Sequence, residues 1–373
     1  IGIFRGSEKS VFDKYFQAMN IPKPKVASLC GYTSWYNNFG NISEEQLLCD
    51  LDGMSKCDKA QIFQIDDGYQ SFVGDWLTIK KDKFPHGMEF LAEKIHEKNM
   101  LAGLWLAPTL CAENSQTALV HPEWLVMDES GKKPKLGAFA WGKAYILDME
   151  KPEVKDYLRE VFATVIDKWK FDMVKLDFLY SECLTPRANK TRGQIMCETM
   201  DFFREVVGKD KYILGCGVPL GACFGKVDMC RISCDVDLSY KPKWWTKCAN
   251  QEVLSTQSAI NNSLFRRQLD GRAFANDPDV FFLRDKNLKF DNTQKQTLAR
   301  INKLVGSVLF VSDNVGEYCQ EKLGQLQEAF GERKEELLRA EYLDKKTILL
   351  TMAGEPNKRY TLDLKKGTLQ EQK

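Results

Sequence analysis

The chain has 373 residues, 43% hydrophobic and 28% charged, and its 53 basic and 52 acidic side chains give a formal net charge of +1. That composition excludes a disordered protein, the balanced charge offers no field to recruit nucleic acid or an acidic membrane, and no run approaches the roughly eighteen apolar residues of a membrane span. The length accommodates one (β/α)8 barrel of about 250 residues and a small appendage. The opening Ile1-Gly2-Ile3-Phe4-Arg5 has neither an initiator Met nor a signal-peptide pattern, so a processed chain or a piece of a longer protein is expected.

Residues 7–20 have the spacing of an amphipathic helix with Ser7 as N-cap. Ile21-Pro22-Lys23-Pro24 ends it as an extended linker. Strand-like apolar runs then recur at 26–32, 61–66, 101–107, 144–148, 171–177, 212–217, 229–233 and 274–280. Helical patterns lie between the earlier runs, at 43–57, 88–99, 152–169 and 191–207. This alternation predicts a parallel sheet with crossover helices. Eight strand candidates favour a closed (β/α)8 barrel, an α/β fold, over an open doubly wound sheet, and no Gly-x-Gly-x-x-Gly follows the first strand. The interval from Cys216 to Arg231 is too short for a loop and a full crossover, which takes at least about ten to twelve residues, so the sixth unit should be reduced.

After 319 the composition changes. Residues 321–339 read as a charged helix, and 346–352 and 359–364 as two strands around the turn Gly354-Glu355-Pro356-Asn357. The expected domains are an N-terminal helix and linker (1–24), a catalytic barrel (25–318) and a small C-terminal helix plus β segment (319–373).

The twelve cysteines contain no Cys-x-x-Cys, and the three histidines stand at no ligand spacing, so no metal is expected. Free thiols serving as small core residues would suit a reducing, cytoplasmic location, and one disulfide within 216–234 is the alternative.

Polar residues in buried strands are costly unless paired or used, and in a barrel the carboxyl ends of strands face the catalytic mouth. Those ends carry Trp35, Asp66, Asp67, Trp105, Asp148, Lys175, Asp177, Cys216, Arg231 and Asp235. The period of two puts Lys175 and Asp177 on one face. A cation beside a carboxylate keeps it ionised, as a glycosidase nucleophile requires, and also describes a structural ion pair. Arg231 can hold a hydroxyl while Asp235 serves as an acid, or the two form a rim salt bridge. Asp66 and Asp67 repel each other and need donors. They suit neighbouring hydroxyls of a hexose, a divalent ion or a helix N-cap, and Gly68 lets the chain turn away. Trp35 and Trp105 offer flat faces to a sugar ring or are core aromatics.

The motifs W-Y-N (35–37), F-Q-I-D-D-G-Y (63–69), G-D-W (74–76), F-P-x-G (84–87), G-L-W-L-A-P (103–108), V-K-L-D-F (174–178), G-C-G-V-P-L (215–220), R-I-S-C-D-V (231–236) and N-D-P-D (276–279) occur in this order. Together they resemble the catalytic barrel of clan D α-galactosidases, the family 36 (melibiase) branch most closely, from about residue 28 to 315. The resemblance implies a retaining α-galactosidase that removes terminal α-D-galactosyl residues from oligosaccharides or glycoconjugates by double displacement, with no cofactor. Asp177 would be the nucleophile and Asp235 the general acid/base, their carboxyls about 5–5.5 Å apart. Asp66 and Asp67 would bind the O4 and O6 hydroxyls, and Lys175 and Arg231 other ring hydroxyls. Trp35 and Cys216 would line the pocket, with Asp148 at its border. An α-N-acetylgalactosaminidase is an alternative, since Gly217, Val218, Gly221 and Ala222 are small enough to leave room for an acetamido group. Galactosyl transfer on raffinose-type sugars is another. A non-catalytic carbohydrate-binding relic is opposed by the presence of both aspartates, and a metal-dependent hydrolase using Asp66 and Asp67 by the scarcity of histidine. Members of this family usually carry a β-sandwich before the barrel and a β domain after it. The first is missing here and the second short, which fits a fragment or trimmed form and leaves the oligomeric state unassigned.

Overall fold

The computed structural model describes residues 2–128, 130–139, 141–242 and 254–372. The helix Glu8–Ala18 comes first, its N-cap Ser7 accepting the Ser10 N–H at 3.3 Å as expected. Strands β1 (Leu29–Thr33), β2 (Ile62–Ile65) and β3 (Leu101–Leu106) follow, with the helices Glu44–Met54 and Gly87–Glu97 between them. Next come β4 (Leu110–Ala112), β5 (Leu136–Phe139), β6 (Gly142–Ile146), the helix Pro152–Ala163, β7 (Met173–Leu176), the helix Arg192–Val207 and β8 (Tyr212–Gly215). Beyond lie β9 (Met229–Arg231), the helix Thr256–Arg266, β10 (Ala275–Asp277), β11 (Val280–Phe281), the helix Asn292–Val305 and β12 (Val308–Val311). The helix Gln320–Ala329 leads to β13 (Leu337–Tyr342), β14 (Thr347–Met352), β15 (Lys358–Asp363) and β16 (Thr368–Glu371).

The chain divides into two compact units, Tyr32–Ser55 with Gln61–Asp228, and Ile1–Gly31 with Lys56–Ala60 and Met229–Lys373. In the first, β2, β3, β7 and β8 form a parallel ladder in which Ile65 pairs with Leu104, Trp105 with Lys175, and Lys175 with Leu214. These strands are buried along almost their whole length, which explains why they read as apolar runs and not as alternating patterns. The crossover helices cover them with one apolar stripe each: Met88, Leu91, Ala92 and Ile95 in Gly87–Glu97, and Val154, Leu158, Val161 and Phe162 in Pro152–Ala163. A capping box of Thr191 and Gln194 starts Arg192–Val207. Between β8 and the end of this unit there is only a 3-10 turn, Leu220–Cys223, the reduced unit that the short interval predicts.

One expected barrel strand is corrected. Residues 144–148 do not join the parallel ladder, because β6 pairs antiparallel with β4 and β5 in a separate three-stranded sheet. Its alternating exposure is that of a sheet with one wet face, a distinction that a short apolar run does not carry.

In the second unit β9 pairs parallel with β10, aligning Arg231 with Asp277, and β11 pairs parallel with β12. The strand β12 was not among the sequence expectations. Its four apolar residues follow the helix Asn292–Val305 after only Gly306 and Ser307, so they read as more of that helix's apolar face. The expected helix at 321–339 is also corrected: it stops at Ala329, and 337–342 is strand. Residues 331–336 hold no apolar side chain for a helix to bury. Strands β13 to β16 form a four-stranded antiparallel sheet in sequence order, with Ile348, Leu350 and Met352 buried on one face of β14. The described cysteines are free thiols, so the alternative of a disulfide among 216, 223, 230 and 234 is not realised; Cys248 lies outside the described residues. Among the described residues no helix is long and apolar enough to cross a membrane.

Candidate active site

Strand β2 ends in a turn built around two carboxylates. The Asp66 N–H donates to Ser34 Oγ at 2.9 Å, and the Asp67 N–H to Asp66 Oδ1 at 2.9 Å. Asp66 Oδ2 accepts from Gln64 Nε2 at 3.1 Å and from the Lys175 ammonium at 2.8 Å. Both partners of this ion pair are nearly buried, with side chains 3% and 8% exposed. Asp67 Oδ1 accepts from Gln70 Nε2 at 2.6 Å, while Asp67 Oδ2 meets no protein donor among the described residues. No helix begins at this turn, which removes the N-cap reading of the pair. Gly68 has φ +128°, and a Cβ there would stand 2.6 Å from the Gly40 carbonyl oxygen, so only glycine fits. Among the described residues no group of three or more His, Cys, Asp or Glu side chains is arranged to hold a metal ion.

Burial pushes the Asp67 carboxyl up to about 6; the Gln70 amide opposes this, Asp66 and Asp177 add to it and Lys80 opposes it. The folded protein therefore holds a proton at a pH where the unfolded chain, near its ordinary value of 3.8, has lost it. The stability this gives is complete below pH 4 and is lost as pH rises through about 6. Asp67→Asn cannot ionise, so its melting temperature should gain on the wild type by a few degrees from pH 4 to pH 7. A constant difference across that range would refute the assignment.

Strands β3 and β7 bring the next residues to the same ladder. Trp105 is buried, packed edge to face on Trp76 with ring centroids 5.8 Å apart. Its indole N–H donates to Asp177 Oδ2 at 3.1 Å, so the ring is both a core aromatic and a donor. Asp177 Oδ1 accepts the N–H of Phe178 at 2.7 Å. Phe178 takes a left-handed backbone at φ 55°, which turns the chain sharply after the carboxylate. The Cys216 N–H donates to the Leu176 carbonyl at 2.8 Å and sets buried Cys216 beside this strand end. Gly217 follows at φ +53°; a Cβ there would approach Asp177 Oδ1 to 3.2 Å.

Trp35 opens the short helix Trp35–Asn38 two residues beyond β1, half-buried, with Phe39 edge-on to it. Asp148 follows β6 and so ends an antiparallel strand, which corrects its expected place in the parallel series. It accepts from Arg187 Nε at 2.7 Å, and Arg187 also donates to the Glu182 carbonyl at 2.8 Å and to its carboxylate.

The second unit holds the remaining two residues. Arg231 ends β9, with its guanidinium 3.0 Å from Asp235 Oδ1, 3.0 Å from Asp277 Oδ2 and 3.0 Å from Asp279 Oδ1. Arg231, Asp277 and Asp279 are buried, whereas the Asp235 side chain is 58% exposed. Arg231 and Asp235 are indeed paired, as the salt-bridge reading expects, but that pair is one edge of a larger buried cluster. Sequence reasoning missed Gln64, Gln70, Asp277 and Asp279. The period of two places Gln64 on the face of Asp66, whereas the N-D-P-D motif alone does not reveal that its aspartates reach Arg231.

Comparison with known proteins gives these clusters a context. A family model described as Melibiase matches residues 34–207. The α-galactosidase TtGalA of Thermus thermophilus, solved in complex with p-nitrophenyl α-D-galactopyranoside, superposes with a TM-score of 0.79 at 28% identity, covering 92% of this chain and 69% of that one. These matches support a family 36-like α-galactosidase (melibiase) catalytic domain in this chain. Its fold is accordingly a (β/α)8 TIM barrel with a small C-terminal β appendage. The stachyose complex of TtGalA gives a TM-score of 0.78 at 29% identity, covering 88% of this chain and 70% of that one. Among curated proteins, alpha-galactosidase Mel36A of Lactobacillus acidophilus is 30% identical over 151 residues, 39% of this chain and 20% of that protein. A type blood alpha-D-galactosamine galactosaminidase of Flavonifractor plautii is 31% identical over 168 residues, 42% of this chain and 15% of that protein. The matched stretch thus spans about a fifth of the first of these relatives.

Proposed function

We propose that this chain hydrolyses terminal α-D-galactosyl residues of oligosaccharides or glycoconjugates with retention of configuration. The observation that carries this reading is the cluster at the ends of β2, β3 and β7. There Asp66 is locked to Lys175, Asp67 keeps one carboxylate oxygen open, and the Trp105 indole N–H aims the carboxylate of Asp177. In this reading the open Asp67 oxygen and Asp66 accept from O4 and O6 of galactose, Lys175 and Arg231 donate to other ring hydroxyls, and Trp35 and Cys216 close the pocket, with Asp148 at its border. Asp177 attacks the anomeric carbon while Asp235 protonates the departing oxygen. A β-galactosyl ester on Asp177 results, and water activated by Asp235 then releases α-galactose. The reading requires the two carboxyls about 5–5.5 Å apart. No metal or cofactor enters, and the free thiols suit a reducing, cytoplasmic setting.

The test is proton NMR of p-nitrophenyl α-D-galactopyranoside hydrolysis in the presence of a chelator. The α-anomer of galactose should appear first, ahead of mutarotation. If the β-anomer appeared first, if the chelator abolished turnover, or if only the N-acetylgalactosaminide were cleaved, the proposal would fall.

A further inference from the structure

The turn Asp277-Pro278-Asp279 after β10 is organised around residues 231–236. Asp277 Oδ2 accepts from Arg231 Nε at 3.0 Å, and Asp277 Oδ1 accepts the Asp279 N–H at 2.9 Å. Asp279 Oδ1 lies 3.0 Å from the Arg231 guanidinium and accepts the Val280 N–H at 2.8 Å, while Asp279 Oδ2 accepts the N–H of Val236 at 2.8 Å. The Ser233 hydroxyl adds a bond to the Pro278 carbonyl at 3.3 Å. Asp279 holds φ +80°, a conformation costly for a residue with a Cβ. The Asn302 amide fixes it by donating to the carbonyls of Asp279 and Val280 at 3.0 and 3.2 Å.

One buried carboxylate therefore reaches both sides of Asp235: the guanidinium that touches its Oδ1, and the backbone of the next residue. Asp235 needs such a hold, because it is exposed and sits in the irregular segment after β9. Burying two carboxylates against one guanidinium is expensive and would be replaced by apolar packing if stability were the sole gain. We propose that Asp279, assisted by Asp277, is a positioning residue for Asp235. It clamps the Val236 amide and Arg231 so that the Asp235 carboxyl faces the departing oxygen. This rests on Asp235 being the general acid/base, as read above.

The experiment compares a substrate whose leaving group needs a proton with one whose leaving group does not. In Asp279→Asn the amide keeps the shape but sets N–H donors against the donors of Arg231 or Val236. Its kcat/KM on raffinose should fall about 100-fold, the lower end of what proton transfer contributes, with α-galactosyl fluoride changed by no more than about threefold. With α-galactosyl fluoride as donor, azide should intercept the galactosyl–enzyme of Asp235→Ala and give α-galactosyl azide, the retained product. Equal losses on both substrates, or no loss on raffinose, would overturn the proposal. Should Asp279→Asn not fold, Asp277→Asn is read by the same criteria. Asp235→Ala is run alongside. If it shows no split between the two substrates, the acid/base assignment itself fails and takes this inference with it. A split in Asp235→Ala alone refutes only the role of Asp279.

Discussion

Replacing Asp177 with Asn should lower kcat on p-nitrophenyl α-galactoside by at least about 1,000-fold, since the proposed double displacement loses its nucleophile and with it the covalent route. The side chain is unusually constrained for an exchange of similar shape. Both carboxylate oxygens already accept N–H groups, one from the Trp105 indole and one from the Phe178 backbone. An amide can present only one acceptor, so Asn also sets donor against donor on one side. Asp177→Gly makes the chemical role visible apart from this geometric one. With azide it should yield β-galactosyl azide, the inverted product, opposite in configuration to that from an acid/base variant. Near wild-type turnover of either variant, or the α-azide from Asp177→Gly, would remove Asp177 from the reaction.

Lys175→Met should cost both stability and activity. The variant leaves Asp66 buried without its ammonium and with Asp67 adjacent, a situation that costs about 3–5 kcal/mol when a buried pair is broken from one side. Urea denaturation measures that loss, and kcat/KM on the aryl galactoside should fall by about 100-fold or more through loss of the proposed hydroxyl contacts. The double variant Asp66→Asn/Lys175→Met discriminates between the two consequences. It should recover most of the stability, since no unpaired charge remains, and none of the activity. Recovered activity in the double variant would mean that the ion pair is scaffolding alone.

The parallel strands and their crossover helices could be read from the sequence because burial on both faces writes a plain apolar run, and capping residues mark where helices begin. The C-terminal positions of those runs led directly to Asp66, Lys175 and Asp177. Residues 144–148 misled for the same reason: an apolar run ending in aspartate looks alike in a parallel ladder and in an antiparallel sheet, and only pairing distinguishes them. β12 was hidden by its closeness to the preceding helix. The partnerships were less legible than the residues. Strand period sets Lys175 beside Asp177 along β7, but its carboxylate partner is Asp66 just beyond β2, a contact across strands that no spacing within one segment encodes. Asp277 and Asp279 reach Arg231 through the pairing of β9 with β10, again a long-range matter.

The alignment of Trp105 with Lys175, and of Lys175 with Leu214, makes the backbone ladder a ruler for the chemistry. Because side chains alternate along a strand, inserting or deleting one residue in β7 would swing Lys175 and Asp177 around to the helix-covered side together. Drift in chain length is therefore barred from the strands and confined to the connections beyond their ends. The long excursion between β3 and β7 is such a place, where chain length can change without disturbing the register that aligns Trp105 with Lys175.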